Sequence, residues 1–347
     1  MKIKRFLKIL FIFLELIELF SVKYFIIIFP KKNHNNLKII NNIKHLLFNE
    51  LFKKVKKNLT YVDFLYIKGQ ARLGNYFICI NNAIIFCELL GCKKIIFEKN
   101  NNAFIKRKIF YKKYKFSIES NQAFNCINNN SLIIDKWFFF YLNFSCLGKV
   151  NRFNLFKEEV LNNLPKIKIH PDDLYIYIRS GDIFSINKPS INTYSQPPLC
   201  FYQSILNSFH FRKVNIISED KLNPVIHILL NNYPFIKYKK NSIKIDVANL
   251  ANSFNIVSAK SSFLISIIKL NDNLHFLWEY NFYKLSERYF HLHSSVYSFS
   301  YNYTIYKMEP SLIYKKYLNI WSNSTLQREI MIKDKCVKYF DIILPRI

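Results

Sequence analysis

Residues 173–182, DLYIYIRSGD, set an apolar run directly before a polar, glycine-bearing turn. Such a run reads as a buried strand that ends in a loop. The pattern repeats downstream: VNII (214–217) leads into Ser218-Glu219-Asp220, and NIV (255–257) leads into Ser258-Ala259-Lys260-Ser261-Ser262. Helical stretches over Pro197–Phe209, Leu222–Asn231 and Asp246–Ser253 fill the intervals, with a short strand at Phe235–Tyr238. Ser261 and Ser262 cap a further helix that runs to Leu270. Strands separated by helices predict a parallel sheet with right-handed crossovers.

Upstream, Tyr61–Ile67 is a strand, Gly69–Gly74 a turn, Asn75–Leu90 a helix closed by Gly91, and Lys94–Phe97 a second strand. This is a second βαβ unit. The expected fold class is therefore α/β, with two Rossmann-like lobes at 60–168 and 169–275. Residues 98–168 are basic and aromatic, with a strand at Leu132–Ile134, and the aromatic stripe Trp137–Tyr141 reads as core. Residues 276–347 are aromatic-rich, carry no motif, and are expected to pack on the lobes as a C-terminal extension.

The chain has 347 residues, half of them hydrophobic, which excludes an intrinsically disordered protein. Its net charge of +28 would ordinarily advertise a polyanionic partner. Phe, Tyr, Ile, Asn and Lys dominate, however, and all five can be encoded by A and T alone, so mutational bias accounts for much of the lysine. Nucleic acid is not the expected partner. Glycine is rare, with five in the chain, and three of those fall between Gly69 and Gly91. Each is expected where the backbone needs a positive φ or a close approach.

The seven cysteines include no CxxC pair, which argues against a zinc ribbon. Cys79 and Cys87 read as small core residues, and one or two disulfides elsewhere stay open. The histidines, among them His210, His227, His275, His291 and His293, read as structural, so no metal site is expected.

Residues 1–30 are expected to form a hydrophobic helix, whose apolar run at 6–29 is preceded by Lys2, Lys4 and Arg5 and interrupted by Lys8, Glu15, Glu18 and Lys23. A signal anchor, an interfacial amphipathic helix and a buried first helix all suit it. Residues 31–59 read as a stem or linker.

Ligands of doubly wound sheets bind beyond the carboxyl ends of the strands. The three polar loops there supply the Arg179 guanidinium, the Lys260 ammonium and the Ser261 and Ser262 hydroxyls, with carboxylates beside them. Arginine offers a fork for phosphate oxygens, and a helix start offers free N–H groups. The set has the chemistry of a diphosphate pocket. There is no DxD pair, so a leaving phosphate would be neutralised by Arg179 and Lys260 without a metal.

These motifs resemble those of the alpha-1,2-fucosyltransferase family. Residues 69–75, GQARLGN, are similar to its GGLGNQ loop, and YIRSGD (177–182) to its HxRRGD. Ser218-Glu219-Asp220 resembles its SDD, and Asp246 followed by Ser261-Ser262-Phe263 its D…NSTF end. The resemblance implies a GT-B-like glycosyltransferase with an acceptor-side first lobe and a donor-binding second lobe. It implies inverting transfer of L-fucose from GDP-fucose to a glycan hydroxyl without a cofactor, in a Golgi-type single-pass membrane protein.

Carried over, Arg179 would bind the β-phosphate and Asp246 the guanine edge. Ser261 and Ser262 would contact the diphosphate, with Tyr177, Gly181, Ser218 and Lys260 also on the donor. Gly74 and Asn75 would line the cleft from the first lobe. Tyr177 stands where the family has His, Ser180 where it has a second Arg, Tyr76 where it has Gln and Lys260 where it has Asn. No carboxylate occurs between Asp182 and Glu219, so Asp182 is the candidate general base, the alternatives being a residue of the other lobe or no base at all. Alternatives are the same fold with another donor or no catalysis, a cytoplasmic or peripheral membrane location, or a basic membrane-associated polyanion-binding protein.

Overall fold

The computed structural model describes residues 64–68, 73–98, 108–111, 116–121, 131–135, 153–185, 195–281, 302–317, 321–336 and 340–344. The expected N-terminal helix, the stem, Gly69 and the Trp137–Tyr141 stripe lie outside the described residues. Among the described residues, no helix is long and apolar enough to cross a membrane.

The first sheet contains β1 (Phe64–Lys68), β2 (Lys94–Glu98), β3 (Lys108–Tyr111), β4 (Phe116–Asn121) and β5 (Ser131–Asp135) in the order β3-β4-β2-β1-β5. All pairs are parallel except β3 with β4, an antiparallel edge hairpin that the basic, aromatic sequence did not announce. Helix α1 (Leu73–Leu90) joins β1 to β2. It buries Tyr76, Phe77, Ile80, Ala83, Ile84 and Cys87. A helix apolar nearly all round must be covered on more than one side. Here β2 and a second-lobe helix contribute that cover. Cys79 and Cys87 are core residues as expected. Helix α2 (Phe153–Asn162) leads to the second lobe and stacks Phe156 on Phe77, with centroids 6.0 Å apart.

The second sheet is built from β6 (Asp173–Tyr177), β7 (Lys213–Ile217), β8 (Ile236–Tyr238), β9 (Asn255–Val257), β10 (Phe276–Tyr280), β11 (Thr304–Met308) and β12 (Phe340–Ile343). Its order is β12-β11-β10-β9-β6-β7-β8, parallel throughout except for the antiparallel edge strand β12. Numbered from its first strand and read from β8 to β11, that is 3-2-1-4-5-6, the doubly wound dinucleotide-binding order. The chain after residue 275 therefore lays strands into this sheet, and their aromatics form its outer core. Trp278 stacks on Tyr306 at 5.4 Å, with Phe209 edge-on to both.

Helices α3 (Leu199–Ser208), α4 (Pro224–Asn232), α5 (Ile243–Asn252) and α6 (Ser262–Ile268) connect the sheet's first five strands in turn, and α7 (Leu312–Tyr317) and α8 (Thr325–Lys333) follow β11, with α8 packed on α3 and α4. A Cys200–Cys336 disulfide ties α3 to the chain after α8 across 136 residues. Helix ends follow local chemistry. Asn223 caps α4 by accepting from Val225 N–H, with Pro224 in the first turn, and Ser324 and Gln327 form a reciprocal capping box on α8.

Two expected boundaries shift. Helix α1 begins at Leu73 and not at Asn75, so Gly74 sits in its first turn instead of in the preceding loop. Helix α5 begins after an N-cap at Ser242, which moves Asp246 from the expected helix start to the inward face of the first turn.

Candidate functional site

The sheet order reverses between β6 and β9, and the chain leaves those two strands in opposite directions. That splaying opens a crevice at the carboxyl end of the sheet. Tyr177, at the end of β6, and Ser261, the N-cap of α6, face each other there with hydroxyls 3.4 Å apart. The Tyr177 ring rests on Phe263, with centroids 5.3 Å apart. The Ser261 hydroxyl also accepts from Phe263 N–H at 3.1 Å.

The first lobe meets the second at the same place. Ser262 Oγ donates to Asn75 Oδ1 at 2.5 Å, and Ser266 Oγ donates to the Gly74 carbonyl at 3.0 Å. A Cβ on Gly74 would collide with the backbone of Ser262 and Phe263. This glycine is required by close helix packing, not by a positive φ. Tyr177, Ser261, Ser262, Gly74 and Asn75 are thus brought together from separate segments of the chain.

The β6 and β7 loops form the other wall. Arg179 Nη2 pairs with Asp182 Oδ1 at 2.5 Å, and its Nη1 pairs with the Glu219 carboxylate. Its side chain is only 12% exposed. Glu219 Oε2 also accepts from Ser180 N–H at 3.0 Å. Ser180 is completely buried and acts as a hub. Its hydroxyl donates to Asp220 and accepts from Asn223 N–H at 2.9 Å, while Asn223 Nδ2 donates to the Arg179 carbonyl at 3.0 Å.

Asp220 Oδ1 further accepts from Gly181 N–H at 3.2 Å and Leu222 N–H at 2.9 Å. Burial alone would raise the Asp220 pKa. The hydrogen bonds from Ser180, Leu222 and Gly181, with Lys240 nearby, outweigh it and hold the carboxyl below its ordinary value. Gly181 has φ +65°, a turn conformation that favours glycine and aims its N–H at Asp220.

The sequence motif makes Ser180 a missing arginine, whereas in the structure its side chain locks two loops together. Glu219, Asp220 and Asn223 belong to the same lock and were not foreseen as such. Their only sequence signal is the clustering of Asp, Asn and Pro just after a strand, which usually marks a turn.

Two further buried groups stand near the carboxyl ends of β8 and β9. Asp246 accepts from Asn241 Nδ2 at 3.1 Å, and burial raises its pKa to about 6. Its charge and that of Asp220 add to burial in raising the Tyr238 phenol. Burial lowers Lys260 to about 8, so it remains mostly cationic at neutral pH. Its carbonyl accepts from the buried Gln196 at 3.4 Å. Ser218, at the end of β7, is buried with no partner for its hydroxyl among the described residues.

Among the described residues, Cys200, Asp334 and Cys336 are the one group of three with metal-ligating side chains in mutual reach. The two sulfurs are bonded to each other and cannot serve as thiolates.

No protein-family model matches the chain, and no curated protein matches it. Among solved structures it is similar to Escherichia coli heptosyltransferase WaaC with ADP, at 10% identity over 78% of this chain and 97% of that one, with a TM-score of 0.36.

Proposed function

We propose that the chain is a glycosyltransferase that binds a nucleoside-diphosphate sugar in the β6/β9 crevice and transfers the sugar to a hydroxyl of an acceptor. The donor is GDP-fucose and the acceptor a glycan, in keeping with the fucosyltransferase-like motifs. The observation that carries the reading is the meeting of Tyr177 and Ser261 at the switch point, within a sheet ordered 3-2-1-4-5-6 and beside the start of α1. A dinucleotide-type sheet offers its ligand site at that location.

In this reading the acceptor oxygen bonds to the sugar C1 while the bond from C1 to the β-phosphate oxygen breaks. Asp182 takes the acceptor's proton. Arg179 and Lys260 neutralise the departing diphosphate, and Asp246 accepts from the base's ring and amino N–H groups. Arg179 is paired with Asp182 and Glu219 in this structure, so donor binding must exchange one carboxylate for phosphate. The exchange frees Asp182 to act as base. The same pairing favours a second reading, a nucleotide-binding protein of this fold in which Arg179 stays locked and no transfer occurs.

Thermal shift against GDP, UDP and CMP tests the proposal. Stabilisation by GDP alone is expected, because guanine offers a carboxylate two adjacent donors, its ring N1–H and its amino group, where uracil and cytosine each offer one. Binding should weaken as pH rises through about 8, where Lys260 loses its proton, and Lys260→Ala should remove that limb. Equal shifts with all three nucleotides, or none with any, overturn the reading. A GDP shift without sugar release from GDP-fucose selects the second.

A further inference from the structure

The outer corner of the second sheet carries a surface that the crevice does not use. Parallel pairing sets Ile216 beside Tyr238, so the loops leaving β7 and β8 emerge side by side. Lys221 holds its ammonium 5.1 Å from the Tyr238 ring centroid. Lys237, Lys239 and Lys240 are exposed, and Lys244 is half-buried. The hydrogen bond from Asn241 to Asp246 draws this lysine-bearing turn onto the first turn of α5.

The same segments expose apolar side chains: Leu222 is 49% exposed, Ile243 44% and Ile245 36%. From Lys221 to Ile245 the sequence contains no Asp or Glu. Of the flanking carboxylates, Asp246 is buried and Asp220 lies near Lys240, so the segment keeps a surplus of positive charge.

We propose that this corner docks on an anionic lipid bilayer surface. Clustered lysines are drawn to anionic headgroups, and exposed aliphatic side chains enter the boundary between headgroups and acyl chains. Nucleic acid would satisfy the lysines but leave Leu222, Ile243 and Ile245 in water. The patch adjoins Asp246 on α5 but uses none of the residues given to the donor, so lipid docking is tested without reference to nucleotide binding.

The test is flotation of the full chain with phosphatidylcholine vesicles, with and without phosphatidylserine. One variant carries Lys221→Gln, Lys239→Gln, Lys240→Gln and Lys244→Gln. A control of equal net charge carries Lys315→Gln, Lys316→Gln, Lys333→Gln and Lys335→Gln. The patch variant should lose at least about tenfold in partitioning to the phosphatidylserine vesicles, and the control less than about twofold. Ile243→Ser with Ile245→Ser should weaken the same binding about threefold or more.

The apolar run at residues 6–29 gives a background common to all variants. Melting curves, read alongside, establish that each variant is folded. Equal losses in both lysine sets overturn the proposal in favour of diffuse charge. Unchanged vesicle binding in the patch variant overturns it as well. So does patch-dependent binding to polyuridylate by a serine double variant that floats like the unmodified chain.

Discussion

The two walls of the β6/β9 crevice are built on opposite principles. The β6–β7 wall is saturated: Arg179, Ser180, Asp182, Glu219, Asp220 and Asn223 satisfy one another through ion pairs and hydrogen bonds. The β9–α6 wall is poorer in charge, with serine hydroxyls, the buried Lys260 and the backbone of a helix wedged against the first lobe. The saturated wall holds its shape without a ligand, so its stiffness is electrostatic. The other wall is held by steric fit. A perturbation should therefore reveal which wall it strikes by how it depends on pH.

The largest effect is expected at the steric wall. Gly74→Leu forces a side chain into the backbone of Ser262 and Phe263 and should cost about 3 kcal/mol or prevent the lobes from packing, at every pH tested. Denaturant unfolding reads it, and a normal midpoint would mean that the lobes part easily.

At the saturated wall, Asp220→Ala leaves the buried Ser180 hydroxyl and the Gly181 N–H without their acceptor, for a loss of about 2 kcal/mol at pH 7. The Asp220 carboxyl lies below its ordinary value in the folded protein, so its contribution is present above about pH 4. The gap between the two proteins should close as pH falls through the lowered folded pKa. A gap that persists under acid would assign the loss to packing.

The smallest effect has the opposite sign. With Asp246 at about 6, the folded protein holds its proton more tightly than the unfolded chain, so stability falls as pH rises from about 4 to about 6. Asp246→Asn keeps an acceptor for Asn241 and should raise stability at pH 7 by about 1.5 kcal/mol, the conversion being halved for partial solvent screening. The gain should vanish below about pH 4. A variant less stable than the parent at pH 7 would show that the carboxylate has a partner it needs.

The strand rhythm was legible because parallel strands buried on both faces must be apolar runs, and DLYIY is such a run with all five residues buried. Tyr177 and Ser261 were legible as neighbours for the same reason: strand ends of one sheet share an edge. The Ser180 lock was not legible, since its partners lie 40 and 43 residues away and no periodicity links them. Nor were β10 to β12, whose aromatics at Trp278 and Tyr306 read as generic packing until register sets them side by side. The start of α1 was misplaced because glycine is a poor helix former, and tertiary contact with α6 overrides that propensity at Gly74.

The strand order also bears on the chain's synthesis. Strands β6 to β9 leave the ribosome well before the rest of their sheet, and β11 remains an open edge until Phe340–Ile343 arrives to cover it. At ordinary translation speeds the interval from Met308 to Ile343 lasts about two to seven seconds. Throughout it a nascent chain displays bare backbone donors and acceptors to its polysome neighbours. Expression yield should therefore respond to chaperone supply and to slow codons in that interval more than to changes in the first lobe.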